Sequence, residues 1–252
     1  MPRRTLPLVS PFGPAMVVDA ATQATMETFR AQRSGKAAIE LAGEAGAWAE
    51  TLGEEVKARL PPSRPIACVE GCAHCCHVKV LVTVPEVLHL VAALRASLDA
   101  AALEQLRARV VASHRKTRGM STEQRALARL PCPLLEGARC LAYDARPLAC
   151  RGASSLDATA CARAFDHPDE DVGIPIYKPQ GQMTDALRSG LANGIAQSGL
   201  DPRLLELGAA LMIALQQRTA GDEWASGRAA FAGAVDREFA ELMRAHGGPG
   251  KG

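Results

Sequence analysis

Apolar side chains recur at helical spacing along most of this chain and lose that rhythm across one stretch in the middle. Residues 17–60 keep a helical period throughout, with Gly43, Gly46 and Gly53 as candidate breaks and Pro61, Pro62 and Pro65 as the stop. The run 78–84 alternates instead. Val78, Val80, Val82 and Val84 fall on one face, the pattern of a short strand. Thr83 and Glu86 then spell a capping box, with Pro85 in the first turn and Val87, Leu88, Leu90, Val91 and Leu94 at helical spacing behind it. A further helix is predicted from Leu98 to Thr117, ending at Gly119, and another from Ser121, boxed with Gln124, to just before Pro131. Residues 131–180 carry no long periodic segment. Helices return from Met183 to about Ser198. The next is capped by Asp201 with Pro202 behind it and has Leu204, Leu205, Leu207, Leu211, Met212 and Leu215 as its apolar side. A last helix is predicted over 227–245, with Trp224 and Phe231 packing it onto the body.

These elements predict a mainly α fold: a single helical domain with a loop-rich, cysteine-ligated metal-binding subdomain and at most a short β element. Its expected organisation is an extended proline-rich arm over 1–16, a helical segment over 17–60, a cysteine-cluster region with inserted helices over 66–165, C-terminal helices over 180–245 and a disordered tail over 246–252. No repeat of 20–50 residues is present.

Composition narrows the class. With 48% hydrophobic residues in 252, the chain can build a core without covalent staples, and only 4% aromatics suits packed helices better than a sheet sandwich. A net charge of +2 from 29 basic and 27 acidic side chains gives no reason to expect nucleic acid or membrane as the main partner. The stretch Arg95–Arg129 holds eight basic and three acidic residues, which reads as a solvated helix face before it reads as a docking surface. Pro7, Pro11 and Pro14 interrupt the apolar N-terminus, no A-x-A-like cleavage site follows, and no segment approaches the roughly 20 apolar residues of a membrane helix. A cytoplasmic protein is expected.

The candidate chemistry lies in eight cysteines. Cys68, Cys72, Cys75 and Cys76 crowd into CVEGCAHCCH, and Cys132, Cys140, Cys150 and Cys161 follow. In a reducing compartment such clusters bind metal more often than they pair, and a disulfide between the neighbours Cys75 and Cys76 would be strained. Wound as a helix, the first four thiols would share roughly a 100° arc, with His74 and His77 pointing elsewhere. Yet Cys68 and Cys76 would then lie about 12 Å apart along the axis, too far for one zinc ion with sulfurs at about 2.3 Å. The segment must bend at Gly71, serve more than one ion, or hold a larger cluster. Cys72, Cys75, Cys76, Cys140 and Cys150 are the first candidates for a zinc or iron–sulfur centre. Cys68, Cys132 and Cys161 complete it or form a second site. Arg146 and Arg151 flank Cys150 and would offset thiolate charge, or else pair with acids such as Asp144. The spacing of Cys68, Cys72 and Cys75 also fits the radical SAM signature, but that reading needs a βα-barrel that the pattern does not offer.

The blocks CVEGCAHCCHVKVLVTVPEV, CPLLEGARCLAYDARPLACRG and SSLDATAC together resemble the YkgJ-type, or CxxCxxCC, cysteine-cluster family. The adjacent Cys75–Cys76 pair, the Cys132-Pro133 step and the Cys140-to-Arg151 run carry the likeness over about 66–162. One departure is the three-residue gap between Cys68 and Cys72, where the family name implies two. The resemblance implies zinc or iron binding and no particular substrate. A related cluster in a flagellin lysine N-methylase makes an enzymatic role an analogy only. Three functions follow as expectations: a metal-binding protein of unassigned activity, an iron–sulfur-dependent redox or transferase enzyme, and a zinc-stabilised interaction module with a protein partner. The first leads, because neither a glycine-rich phosphate loop nor H-E-x-x-H accompanies the cysteines, and no catalytic residue can be named.

Overall fold

The computed structural model describes residues 13–245. The fold is mainly helical, as the periodicity predicts, with two small two-stranded sheets. Helix α1 (Pro14–Ala31) starts with proline in its first turn, so 14–16 belong to a helix and not to an arm. The rest of the expected arm and the tail lie outside the described residues. Helix α2 (Gly35–Arg59) is capped by Ser34, whose side chain accepts from the Ala37 amide. The chain therefore breaks at Gln32–Ser34 and runs unbroken through Gly43, Gly46 and Gly53. Gly43 and Gly46 make room for neighbours instead: a Cβ on them would meet the His89 ring at 3.1 Å and the Arg151 guanidinium at 3.2 Å.

After the cysteine turn, the predicted strand shrinks to β1 (Leu81–Val82), because Thr83 already caps α3 (Val84–Ser97). Both halves of the Thr83–Glu86 capping box form. Helices α4 (Ala100–Thr117, capped by Asp99) and α5 (Thr122–Ala128, boxed by Ser121 and Gln124) follow. Next come a hairpin of β2 (Leu135–Glu136) and β3 (Arg139–Cys140) and two short helices, α6 (Leu148–Arg151) and α7 (Ala158–Asp166). Helix α8 (Lys178–Gln197) starts five residues earlier than its apolar rhythm suggests. Strand β4 (Leu205–Glu206) pairs antiparallel with β1, Leu81 opposite Glu206 and Val82 opposite Leu205, and leads directly into α9 (Leu207–Gln216). Glu206 caps α9 through the Gly208 and Ala209 amides, so the cap expected at Asp201 falls elsewhere: Asp201 grips Arg203 at 2.6–3.1 Å. A short helix not foreseen, α10 (Ala220–Ala225), ends before a turn through Gly227 at φ +87°, and the helix predicted over 227–245 shrinks to α11 (Arg237–Ala245).

Helix α1 lies along α8 because small residues let the backbones close. A Cβ on Gly190 would come within 2.5 Å of the Ala21 Cβ, and one on Gly194 within 2.4 Å of the Thr25 Cβ. The core runs between α2, α3, α8 and α9, and Trp224 meets Phe29 edge-on within it at 5.6 Å. Lys79, just after the cysteine turn, is buried in an ion pair with Asp236 and lies 2.8 Å from Glu238, which ties α11 to this body. Among the described residues no helix is long and apolar enough to cross a membrane.

Candidate metal centre

The first cysteine run is a bent loop. Gly71 turns at φ +92°, which a side chain would resist, and the Cys72 amide donates back to Val69 O at 3.0 Å. The extra residue between Cys68 and Cys72 is absorbed there. A single 3₁₀ turn over 74–77 then presents Cys75 and Cys76. Cys68 sits in an extended segment tied to residue 155: Ala67 N donates to Ser155 O at 2.8 Å, and Ser155 N donates to the Cys68 sulfur at 3.1 Å.

The later cysteines are brought to this turn by separate devices. Cys132 N donates to Cys76 O at 2.7 Å, a direct splice between the two cysteine regions. The Arg125 side chain, 5% exposed, reinforces it by donating to the carbonyls of His77, Leu130 and Pro131. Cys140 pairs with Leu135 across a hairpin whose two-residue turn, Gly137 and Ala138, has both φ angles positive, as a type I′ turn requires. Cys150 lies on α6. The Leu148 amide at the start of that helix donates to Glu86 Oε1 at 2.9 Å, while Glu86 Oε2 accepts from Thr83 N and Oγ1. The same carboxylate thus caps α3 and places Cys150. Cys161 rides on α7, capped by Asp157. That helix docks on the 74–77 turn through Phe165, whose ring lies 4.6 Å from His77 and 5.9 Å from His74.

The result is one cavity of about 450 Å³ walled by Cys68, Cys72, Cys75, Cys76, Cys132, Cys140 and Cys150. Cys161 is not on its wall but lies within reach of the Cys68 charge. The histidines face Phe165 and not the cavity, and His77 Nδ1 is bonded to Ala73 O at 3.1 Å. The two arginines part company. Arg151 is a strut, bonded to Glu50, Arg146 O and the Asp144 carbonyl, not the Asp144 carboxylate. Arg146 stacks on Tyr143 at 4.0 Å and lies near enough to favour the Cys140 thiolate. Glu86, Phe165 and Arg125 escape sequence reading. Glu86 is legible as a cap, but nothing in the sequence points its second oxygen at Leu148.

All eight cysteines are free thiols. Burial pushes the Cys132 thiol up to about 11, with the nearby Cys140 charge adding to it. Burial also pushes Cys150 well above the ordinary range, followed by the charges of Cys132, Cys75 and Cys140. Cys68 and Cys140 are raised by burial as well. Cys75 is raised first by its hydrogen bond with Cys76 and then by burial of the sulfur. So many crowded thiols resist ionising together unless a cation compensates them, and soft divalent ions prefer that donor set. The sulfurs are gathered but not drawn in: among the described residues, no three or more His, Cys, Asp or Glu side chains converge closely enough to hold an ion as they stand.

Residues 67–167 match the model of the CxxCxxCC family, described as “Putative zinc- or iron-chelating domain”. Over that segment the chain is similar to this family. The matched segment contains every cysteine of the chain and the devices that gather them, apart from contacts reaching in from α2 and α8. No curated protein and no solved structure matches the chain.

Proposed function

We propose that the cysteine-walled cavity is a thiolate metal centre for zinc or iron, and that holding the metal is the work of this domain. The observation that carries the reading is that seven thiols from three separate stretches of chain border one cavity. Crowded, half-buried thiols cost stability when no cation is present. A metal ion turns that cost into cross-links between the 68–76 loop, the 132–140 hairpin and α6, and so couples binding to the order of a loop-rich region. Cys72, Cys75, Cys76, Cys140 and Cys150 are the leading ligands in this reading, with Cys68, Cys132 and Cys161 alongside. Free thiols in such number suit a reducing, cytoplasmic setting.

A second reading, an iron–sulfur enzyme, draws support from the cavity's other wall. Glu50, Lys57, Arg146 and Gln180 line it too, and about 450 Å³ falls within the size range of small-molecule sites. A cluster there would supply electrons or Lewis acidity. The side chains would orient a polar substrate beside it.

Elemental analysis and a visible spectrum of protein purified without oxygen test both readings. The metal-centre reading expects zinc or iron bound tightly, and Cys76→Ser to lower the metal content and loosen residues 131–165. Iron with acid-labile sulfide and absorbance would favour the enzyme. Metal-free protein that takes up neither ion on reconstitution would refute the centre altogether.

A further inference from the structure

Away from the cysteines, the face where α4 meets the C-terminal end of α9 gathers four arginines and little to balance them. Arg107 and Arg115 stand about 12 Å apart along the axis of α4. They bracket an open groove of about 560 Å³, floored by Ala108, Val111 and Leu215. Arg95 reaches the α9 end of that groove and donates to the carbonyls of Ala214 at 2.9 Å and Leu215 at 3.4 Å. Burial holds the Arg95 guanidinium below its ordinary range, and the charges of Arg218 and Arg107 nearby lower it further. Glu104 is the single carboxylate among the described residues on the groove wall. It pairs with Arg107 at 3.0 Å, and its side chain is 71% exposed. Arg115 and Arg218 are exposed and have no carboxylate partner among the described residues. The buried Nε–H groups of Arg95 and Arg107 have no acceptor there either.

Like charges held this close repel, and a buried donor without an acceptor costs stability. Carboxylates laid along the groove reverse both effects, and its apolar floor suits apolar side chains beside them. From Glu104 to Arg115 the groove follows about three helical turns, which suits a length of peptide better than one small ion. Residues 1–12 and 246–252 contain no acidic side chain, so neither end of the chain complements it.

One internal segment does. Asp166, Asp169, Glu170 and Asp171 crowd into DHPDED, and all four are exposed. Ile174 and Ile176 follow, 37% and 53% exposed. Glu170 lies 3.3 Å from Arg163 and 3.5 Å from His167, whereas Asp169 and Asp171 have no cationic partner among the described residues. The backbone ties this segment to its own chain at 154–156, through Leu156 N to Pro175 O and Tyr177 N to Ser154 O, both at 2.8 Å. No hydrogen bond or ion pair among the described residues joins it to α4 or α9.

We propose that the arginine groove between α4 and α9 receives the acidic 166–176 segment of a second copy of this chain. Exchanged reciprocally, two such contacts make a two-fold dimer. The contact is small and charged, so the association is reversible and weakens as salt screens it. It is independent of the cysteine cavity and of any metal held there.

The test is sedimentation of the full chain over a range of concentrations, at about 0.03 M and about 0.5 M salt. A dimer is expected at low salt and a monomer at high salt. Arg115→Glu is expected to weaken the low-salt dimer about tenfold, and Asp169→Lys with Asp171→Lys to do the same. These side chains make no hydrogen bond among the described residues, and circular dichroism checks that each variant folds. Combining the reversals in one chain is expected to recover part of the lost affinity. A chain that is monomeric at every salt would overturn the proposal, as would a dimer that neither reversal weakens. Weakening by Arg115→Glu alone, with no effect of the aspartate reversals, would show that the groove takes a different occupant and would overturn it too. So would a combined variant no tighter than the singles.

Discussion

Replacing Glu86 by Gln changes one buried atom group and leaves a single acceptor oxygen where two elements each use one. Glu86 is 4% exposed, and its two oxygens have separate duties. Oε2 takes the Thr83 amide at 2.7 Å and the Thr83 hydroxyl at 2.8 Å; Oε1 takes the Leu148 amide at 2.9 Å. Glutamine has one acceptor oxygen, so either rotamer turns an NH₂ group toward a backbone N–H. The hydroxyl of Thr83 can reverse and accept, but an amide cannot. An unmet buried donor costs about 1–3 kcal/mol, and the remaining bond loses its charge assistance, roughly another 1 kcal/mol. The total is about 3 kcal/mol. For a chain of this size that corresponds to a fall in melting temperature of roughly 6–12 °C. The assay is a thermal melt of metal-free protein followed by circular dichroism, with amide exchange read at Thr83 and Leu148–Arg151. The loss should appear with faster exchange at whichever amide, Thr83 or Leu148, the NH₂ group faces. A melting point within about 2 °C of wild type, or Thr83 and Leu148 amides both as protected as before, would refute the claim that this carboxylate joins α3 to the helix of Cys150.

Two other outcomes follow from the same geometry. Phe165→Ala removes ring contacts with His77 and His74 and the Arg129 guanidinium at 5.8 Å, together about 2 kcal/mol of docking energy. Amides of 158–166 in metal-free protein should then exchange about 30-fold faster while those of α2 do not change, and equal rates in 158–166 would sink the docking role. The third concerns acid. Hydrogen bonds from Lys79 and Thr122 hold Glu238 below the usual carboxylate range. A depressed folded-state pKa gives stability that is complete above the unfolded value, about 4.3, and is lost as pH falls through the folded value. Proton uptake should therefore release α11, and Glu238→Gln should flatten the fall in melting temperature between about pH 5 and pH 3; an unchanged slope would mean that other carboxylates set it.

Local chemistry is what made parts of this protein legible before any coordinates. The Thr83–Glu86 and Ser121–Gln124 boxes announce α3 and α5 because a capping box is complete within four residues. The donor set is equally plain, since thiols in these numbers and spacings suggest a soft metal wherever they fold. The errors came where a local signal had a competing use elsewhere. Gly43 and Gly46 look like helix breaks, but they are clearances for His89 and Arg151, which arrive from α3 and α6. Asp201 looks like a cap, but Arg203 claims it and Glu206 caps α9 instead. The alternation over 78–84 gives only two paired residues, because a strand extends only as far as its partner, and β4 turns into helix at Leu207.

By itself, then, the sequence determined the helical class, several helix starts and the cysteines that are the candidate donors. Each depends on residues within a few positions of one another. Only the tertiary structure decided which thiols share a wall, that Cys132 is spliced to Cys76, and that Glu86 and Phe165 carry Cys150 and Cys161 to the same turn. Those contacts join positions tens of residues apart. They exist because burying the helical core brings α3, α6, α7 and the 74–77 turn together, and no local pattern encodes a distance that only the packed chain defines.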